Sequence, residues 1–247
     1  MNNINMRFSQ EDKNNIVQRV IDFENEFSAS LGISAEDLQA IKREYFLSTQ
    51  HYSFEFEKLK STLHNFALLK PYLNKRMYHT GALFQVLCQE MFELTGEQKY
   101  LPQQNYLLAA FYCDIGFLAL EDSIYKDAYV STKDITIAER HVWIGYELLK
   151  EKGLEEVAHI VKHHHEKPDG SGYLREQNHS DFLLGLLNIA NGFAEGALQS
   201  NKPEIPMSCE EAIIYAMRGY TSCILFSVKE VSTIESSLRS YYQKNVR

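Results

Sequence analysis

What this 247-residue chain lacks removes several classes of explanation at once. Its four cysteines, at positions 88, 113, 209 and 223, include no C-x-x-C pair and lie in apolar segments, so buried thiols in a reducing compartment are expected rather than a disulfide framework. It has no basic excess: 25 Lys and Arg stand against 33 Asp and Glu, for a formal charge of −8. Duplex nucleic acid is therefore not an expected partner, because phosphate recognition needs a basic face. No stretch approaches the roughly eighteen apolar residues of a membrane span, and MNNINMRFSQ has no apolar signal core. The expectation is a cytoplasmic protein with no membrane contact. Nor is there a run of strands, an internal repeat, a low-complexity linker or a receiver-like sensory input.

What is present is a chain 45% hydrophobic, long enough for one large core or a core with a small appended region. Helical periodicity runs throughout. In residues 1–70, Ser9-x-x-Asp12 resembles a capping box ahead of Ile16, Val17, Val20, Ile21 and Phe27; Gly32 ends that helix. Ser34 to Asp37 opens a second helix carrying Leu38, Ile41 and Tyr45. Leu59, Leu63 and Phe66 suggest a third before Pro71. The aromatics Phe46, Tyr52, Phe54 and Phe56 read as core packing or as a partner-binding or dimerising surface. Residues 1–70 are thus an N-terminal helical region, and 71–247 a second domain.

That second domain repeats one pattern: an apolar helix face interrupted by a polar residue. A helix from Met77 to Leu94 carries His79 beside Leu83, Val86, Leu87 and Phe92. In Leu107 to Gly116, Asp114 shares a stripe with Leu107, Ala110 and Phe111, where an ionised carboxylate is expensive unless paired or metal-bound. A helix opened by Ser131-x-x-Asp134 carries His141 among Ala138, Val142, Gly145, Leu148 and Leu149. Leu154, Val157, Ala158 and Val161 lead into HHHEKPDGSGY, His163 to Tyr173, the stretch richest in potential ligands. From about Asp181, Leu183, Leu187, Ala190, Asn191 and Ala194 align, and Ser208-x-x-Glu211 caps a further helix. Val228, Val231, Ile234 and Leu238 mark the last. Separate helices each supplying one polar residue is how a helical bundle builds a metal site.

From about Tyr72 to Ala212 the sequence resembles the HD-GYP family of the HD phosphohydrolase superfamily, bacterial signalling domains. The signature HHE-x-x-DGSGYP is matched from His164 to Tyr173, with Leu174 in place of its final Pro. Cys113-Asp114-Ile115-Gly116 stands at the HD-x-G region, and His141 with Gly145 at the lone His and its following Gly. The resemblance implies an all-α, HD-type helical bundle holding two or three metals, usually iron or manganese, that hydrolyses cyclic di-GMP. Carried over by position, one ligand set is complete: Asp114, His141, His164 and His165. The other keeps His79 and Asp114, but its HD His is Cys113 and its late Asp is Asn191, with Glu195 one helical turn along as an alternative ligand. Asp114, shared by both sets, is the catalytic candidate. Cys113 would ligate only as thiolate, and Asn191 only through a neutral carbonyl. The Glu of a third metal is Lys75, the Lys after the HD Asp is Phe117, and the phosphate-gripping Arg-Pro-Tyr-Arg aligns with Lys202 to Ile205. Asp169, Gly170, Gly172, Tyr173 and Lys202 are the substrate-binding candidates.

The resemblance thus leads to a degenerate HD-GYP-type domain with one well-held divalent ion, iron or manganese with zinc admissible, and a weakened second site. Its partners would be cyclic di-GMP or a related nucleotide, and a protein or second copy through the N-terminal helices. An active metal-dependent phosphodiesterase is the alternative.

Overall fold

The computed structural model describes residues 71–119, 138–175, 180–198, 207–220 and 225–246. The N-terminal helical region, the Ser131-x-x-Asp134 start and Lys202 lie outside these residues. Among the described residues there are seven α-helices and no strand, as an all-α fold requires. They are α1 (Pro71–Thr95), α2 (Gln104–Tyr112), α3 (His141–Glu151), α4 (Glu155–His163), α5 (Phe182–Leu198), α6 (Cys209–Met217) and α7 (Val228–Asn245). Short 3₁₀ turns span Gln98–Tyr100 and Ile115–Ala119. No described helix is long and apolar enough to cross a membrane.

Helix α1 runs from Pro71, six residues before the Met77 at which its apolar periodicity becomes clear. A proline is tolerated in a first turn because that N–H has no intrahelical partner to lose. Three later helices start from local signals. Asp181 Oδ1 accepts the Leu184 N–H at 2.8 Å ahead of α5, and Ser208 and Ser227 form reciprocal capping boxes with Glu211 and Glu230. Helix α4 places Glu155 and Glu156 in its first turn and Lys162 and His163 in its last, each favoured by the helix dipole.

Helix α5 is the central post. It is buried nearly all round, as its almost unbroken apolar sequence demands, and packs against α1 and α6. Leu73, Met77, Leu83, Phe84 and Leu87 of α1 meet this core with Leu186, Leu187, Ile189, Ala190 and Phe193 of α5. Helix α7 closes over α1 and α6, α2 bridges α1 and α4, and α3 pairs with α4.

One glycine fixes the approach of the two segments that matter most to the site. The 3₁₀ turn at Ile115–Ala119 packs on α3 so closely that a Cβ on Gly116 would lie 1.9 Å from the His141 carbonyl oxygen. Asp114 and His141 are neighbours only because position 116 has no side chain. Gly116→Ala meets backbone that cannot swing aside and is expected to cost about 3 kcal/mol, the upper end for overpacking, measured by urea denaturation.

Candidate metal centre

Three imidazoles converge where α3 begins and α4 ends. His141 Nδ1 donates to the Ala138 carbonyl at 2.7 Å, and His164 Nδ1 donates to the Val161 carbonyl at 2.6 Å. With those nitrogens protonated, each neutral ring carries its lone pair on Nε2, and the two Nε2 atoms face each other at 3.5 Å. Two acceptors at that distance do not bond one another; a cation between them satisfies both. His165 Nε2, also buried, has no hydrogen-bond partner. Ligand atoms of His141, His164 and His165 all lie within 4.8 Å of one another. Asp114 Oδ1 stands 3.8 Å from His141 Nε2 and accepts no aligned hydrogen bond.

The electrostatics keep these rings neutral, the form that binds metal. Burial, and then His164, pushes His141 down to about 3, and burial pushes His164 down to about 4. His165 is driven well below its ordinary value by burial and by its two neighbouring histidines. Aromatic walls fix the ring planes. Phe117 stacks on His141 at 4.3 Å and 15°, and Tyr173 stacks on His165 at 4.1 Å and 25°. His163 instead turns outward along α4, its Nδ1 donating to the His159 carbonyl at 2.7 Å.

The turn after the histidines is held from two sides. Asp169 Oδ1 accepts the Ser171 N–H at 3.0 Å, and Gly170 adopts φ 73°, a left-handed conformation suited to glycine. Gly172 lies so close to Glu166 that a Cβ would fall 2.5 Å from its Oε1. The same Oε1 accepts the Leu174 N–H at 2.8 Å. This gives Leu174 a use that proline lacks, since proline has no N–H to donate. From α5, the Asn188 amide donates to the carbonyls of His164 at 2.9 Å and Glu166 at 3.2 Å. Asn188→Ala leaves these buried carbonyls without that donor and frees the histidine backbone. It is expected to cost about 1–3 kcal/mol and to weaken metal binding about 10- to 100-fold, read by urea denaturation and by titration with Mn²⁺.

Around the other face of Asp114 the chemistry changes. Cys113 Sγ lies 3.7 Å from Asn191 Oδ1, and the Thr80 hydroxyl donates to the same oxygen at 3.4 Å. Burial, and then Asp114, raises the Cys113 thiol well above its usual range, so it stays protonated. Cys113 and Asp114 form a second cluster with His164 whose ligand atoms lie within 4.8 Å of one another, and the two clusters share His164. His79 is buried and belongs to neither cluster; its Nδ1 pairs with the Tyr241 hydroxyl of α7 at 2.9 Å. Glu195 accepts a hydrogen bond from the Tyr215 hydroxyl at 3.2 Å.

The partner of Asp114 is Arg76. Its Nε donates to Asp114 Oδ2 at 2.7 Å, its Nη2 lies 2.5 Å from Oδ1, and its Nη1 lies 3.7 Å from Glu195 Oε1. Arg76 is 3% exposed and Asp114 0%. Burial alone would raise the Asp114 pKa, but attraction and hydrogen bonding from Arg76 prevail and hold it below the ordinary carboxylate value. The buried cation at this site is therefore Arg76, whereas Lys75, the basic residue that the sequence alignment places there, is partly exposed. Arg76 carries a signal in the sequence: it follows Leu73 by three residues and precedes Thr80 by four, on a buried stripe where a cation needs a partner.

The histidine cluster thus fits a metal ion, while His79 joins neither cluster and Asn191 offers only a neutral amide oxygen beside Cys113. The family model described as an HD domain matches residues 67–219. The chain belongs to the HD domain family. HD domains bind divalent metals, and among the described residues the clusters above are groups that could do so. Among curated proteins, the chain is 32% identical over 144 residues to the cyclic di-GMP phosphodiesterase response regulator RpfG of Xanthomonas campestris pv. campestris, an alignment covering 51% of this chain and 36% of that protein. It is 24% identical over 195 residues to a cyclic di-GMP phosphodiesterase of Thermotoga maritima, covering 77% of this chain and 51% of that protein. This HD domain chain therefore spans between about a third and a half of the length of these relatives.

Proposed function

We propose that this HD domain is a degenerate HD-GYP-type module of bacterial cyclic di-nucleotide signalling, with phosphodiesterase chemistry weakened or lost, that acts mainly by binding. One observation carries the reading: Asp114, the carboxylate that would be shared between two metals, is already paired with Arg76. Cys113 and Asn191 beside it are neutral. The names of the two relatives support cyclic di-GMP as the ligand class.

His141, His164, His165 and Asp114 would hold one divalent ion, iron or manganese, with zinc admitted by the imidazole-rich set. Such an ion, when bound, supplies Lewis-acid polarisation of a phosphodiester oxygen. The protein's own part is positioning. Phe117 and Tyr173 stack on the His141 and His165 rings and fix their planes, while Asp169, Gly170, Gly172 and Tyr173 form the turn at which a nucleotide phosphate or base would enter. Lys202 and the N-terminal residues 1–70 complete the proposal as a phosphate contact and as a partner or homodimer surface.

Losing one metal's transition-state stabilisation, at ~4 kcal/mol, lowers a rate about a thousandfold. A second reading, an active metal-dependent phosphodiesterase, draws on the ordered histidine cluster and the Asp114 oxygen facing it. Metal content and cyclic di-GMP turnover, measured on one preparation reconstituted with Mn²⁺ or Fe²⁺, separate the two. One ion per chain with turnover about a thousandfold below an intact relative supports the degenerate reading; comparable turnover overturns it.

A further inference from the structure

We propose that the Arg76 guanidinium is a built-in replacement for one metal ion: a permanent cation between the carboxylates of Asp114 and Glu195 that makes this part of the site independent of metal. The inference rests on the one-metal reading above and extends it to a residue of this chain. Three elements converge on Arg76. It projects from α1, meets Asp114 at the end of α2 through two nitrogens, and approaches Glu195 of α5 with the third. Its Cζ also lies 5.8 Å from the Phe117 ring centroid, so an aromatic face covers the cation.

Burying a guanidinium is costly unless its charge is matched and its donors are used. Here the carboxylate it meets is wholly buried, in the turn that follows α2, between the buried Tyr112 and Ile115. An arginine supplies the positive charge that this carboxylate needs, at every pH at which the protein folds. Unlike an ion, it cannot be removed by a chelator and has no open coordination position. The neighbouring substitutions agree in sense: with the charge supplied by Arg76, Cys113 and Asn191 need not be anionic or metal-coordinating, and they pair with each other and with Thr80. Asp114 is paired with the protein cation while its Oδ1 also lies 3.8 Å from His141 Nε2, where it would be available to an ion held by the histidines.

The test uses the full chain, EDTA and Mn²⁺, and reads thermal unfolding and metal per chain rather than turnover. In EDTA, Arg76→Met strands a buried carboxylate, so its midpoint should fall well below that of the parent. Adding Mn²⁺ should recover much of that loss, with at least a tenfold gain in Mn²⁺ affinity at Asp114, because a metal can take the vacated place. The double variant Arg76→Met/Asp114→Asn should recover the EDTA midpoint without metal. This arm also decides the case if the single variant does not fold: a folded double variant supports the proposal, and an unfolded one overturns it. A single variant as stable as the parent in EDTA, or a loss that neither Mn²⁺ nor the second substitution recovers, equally overturns it. Because none of these readouts depends on catalysis, failure here is distinct from failure of the degenerate-domain reading, which is overturned by turnover comparable to an intact relative's.

Discussion

Asp114→Ala is expected to destabilise the domain by about 3–5 kcal/mol in the presence of a chelator, as urea denaturation would show. The size follows from asymmetry. A neutral side chain at position 114 leaves the Arg76 guanidinium, 3% exposed, without the oxygens it meets at 2.7 and 2.5 Å. Arginine cannot relieve the strain by losing a proton, and Glu195 Oε1, at 3.7 Å, is not close enough to replace two contacts. Against a total stability of ~5–15 kcal/mol, this is a large fraction. The same ion pair predicts a pH dependence. The folded Asp114 has its pKa lowered, so it binds a proton less readily folded than unfolded. Its stabilisation is therefore complete above the ordinary carboxylate range and is lost as pH falls through the lower, folded-state value. A parent that loses stability on acidification, beside an Asp114→Ala variant with a flatter profile, is the expected pair of curves.

His164→Ala is expected to have the largest effect on metal. The residue joins both ligand clusters and supplies one of the two facing Nε2 atoms, so its loss removes a direct ligand rather than a support. Loss of a supporting hydrogen bond already costs about 10- to 100-fold in affinity, and the direct loss should exceed about a hundredfold. Mn²⁺ or Zn²⁺ titration of the purified variant reads it: no saturable site at concentrations that fill the parent is the expected outcome. Binding equal to the parent's would move the ion away from the histidines. Fold loss should be modest, because His164 is neutral and its removal strands no charge.

The helical architecture was legible because its causes are local. Period-3.6 stripes mark α1, α5 and α7, and the Ser208 capping box marks α6. The histidine pair after α4 was legible as a dense motif, and the inward placement of Asp114 followed from its apolar stripe. What escaped the sequence was pairing at a distance. Arg76 and Asp114 are separated by 38 positions, and His79 and Tyr241 by 162. The apolar stripe posed the question of what compensates Asp114, with metal or an ion pair as admissible answers; only packing of α1 against α2 selects arginine. Asn188 escaped for a related reason. Its partners are backbone carbonyls of His164 and Glu166, and no side-chain pattern announces a contact to backbone. Leu174 has the same lesson in reverse: a departure from a motif looks like loss until its N–H is seen to serve Glu166.

The central claim is that Arg76 stands where a second metal would be needed, leaving one ion at His141, His164 and His165. Metal analysis by mass spectrometry of the full chain, saturated with Mn²⁺ and freed of excess, tests it most directly. The account predicts one ion per chain, falling to none in His164→Ala. Two ions per chain in the parent, with Arg76 in place, would contradict it.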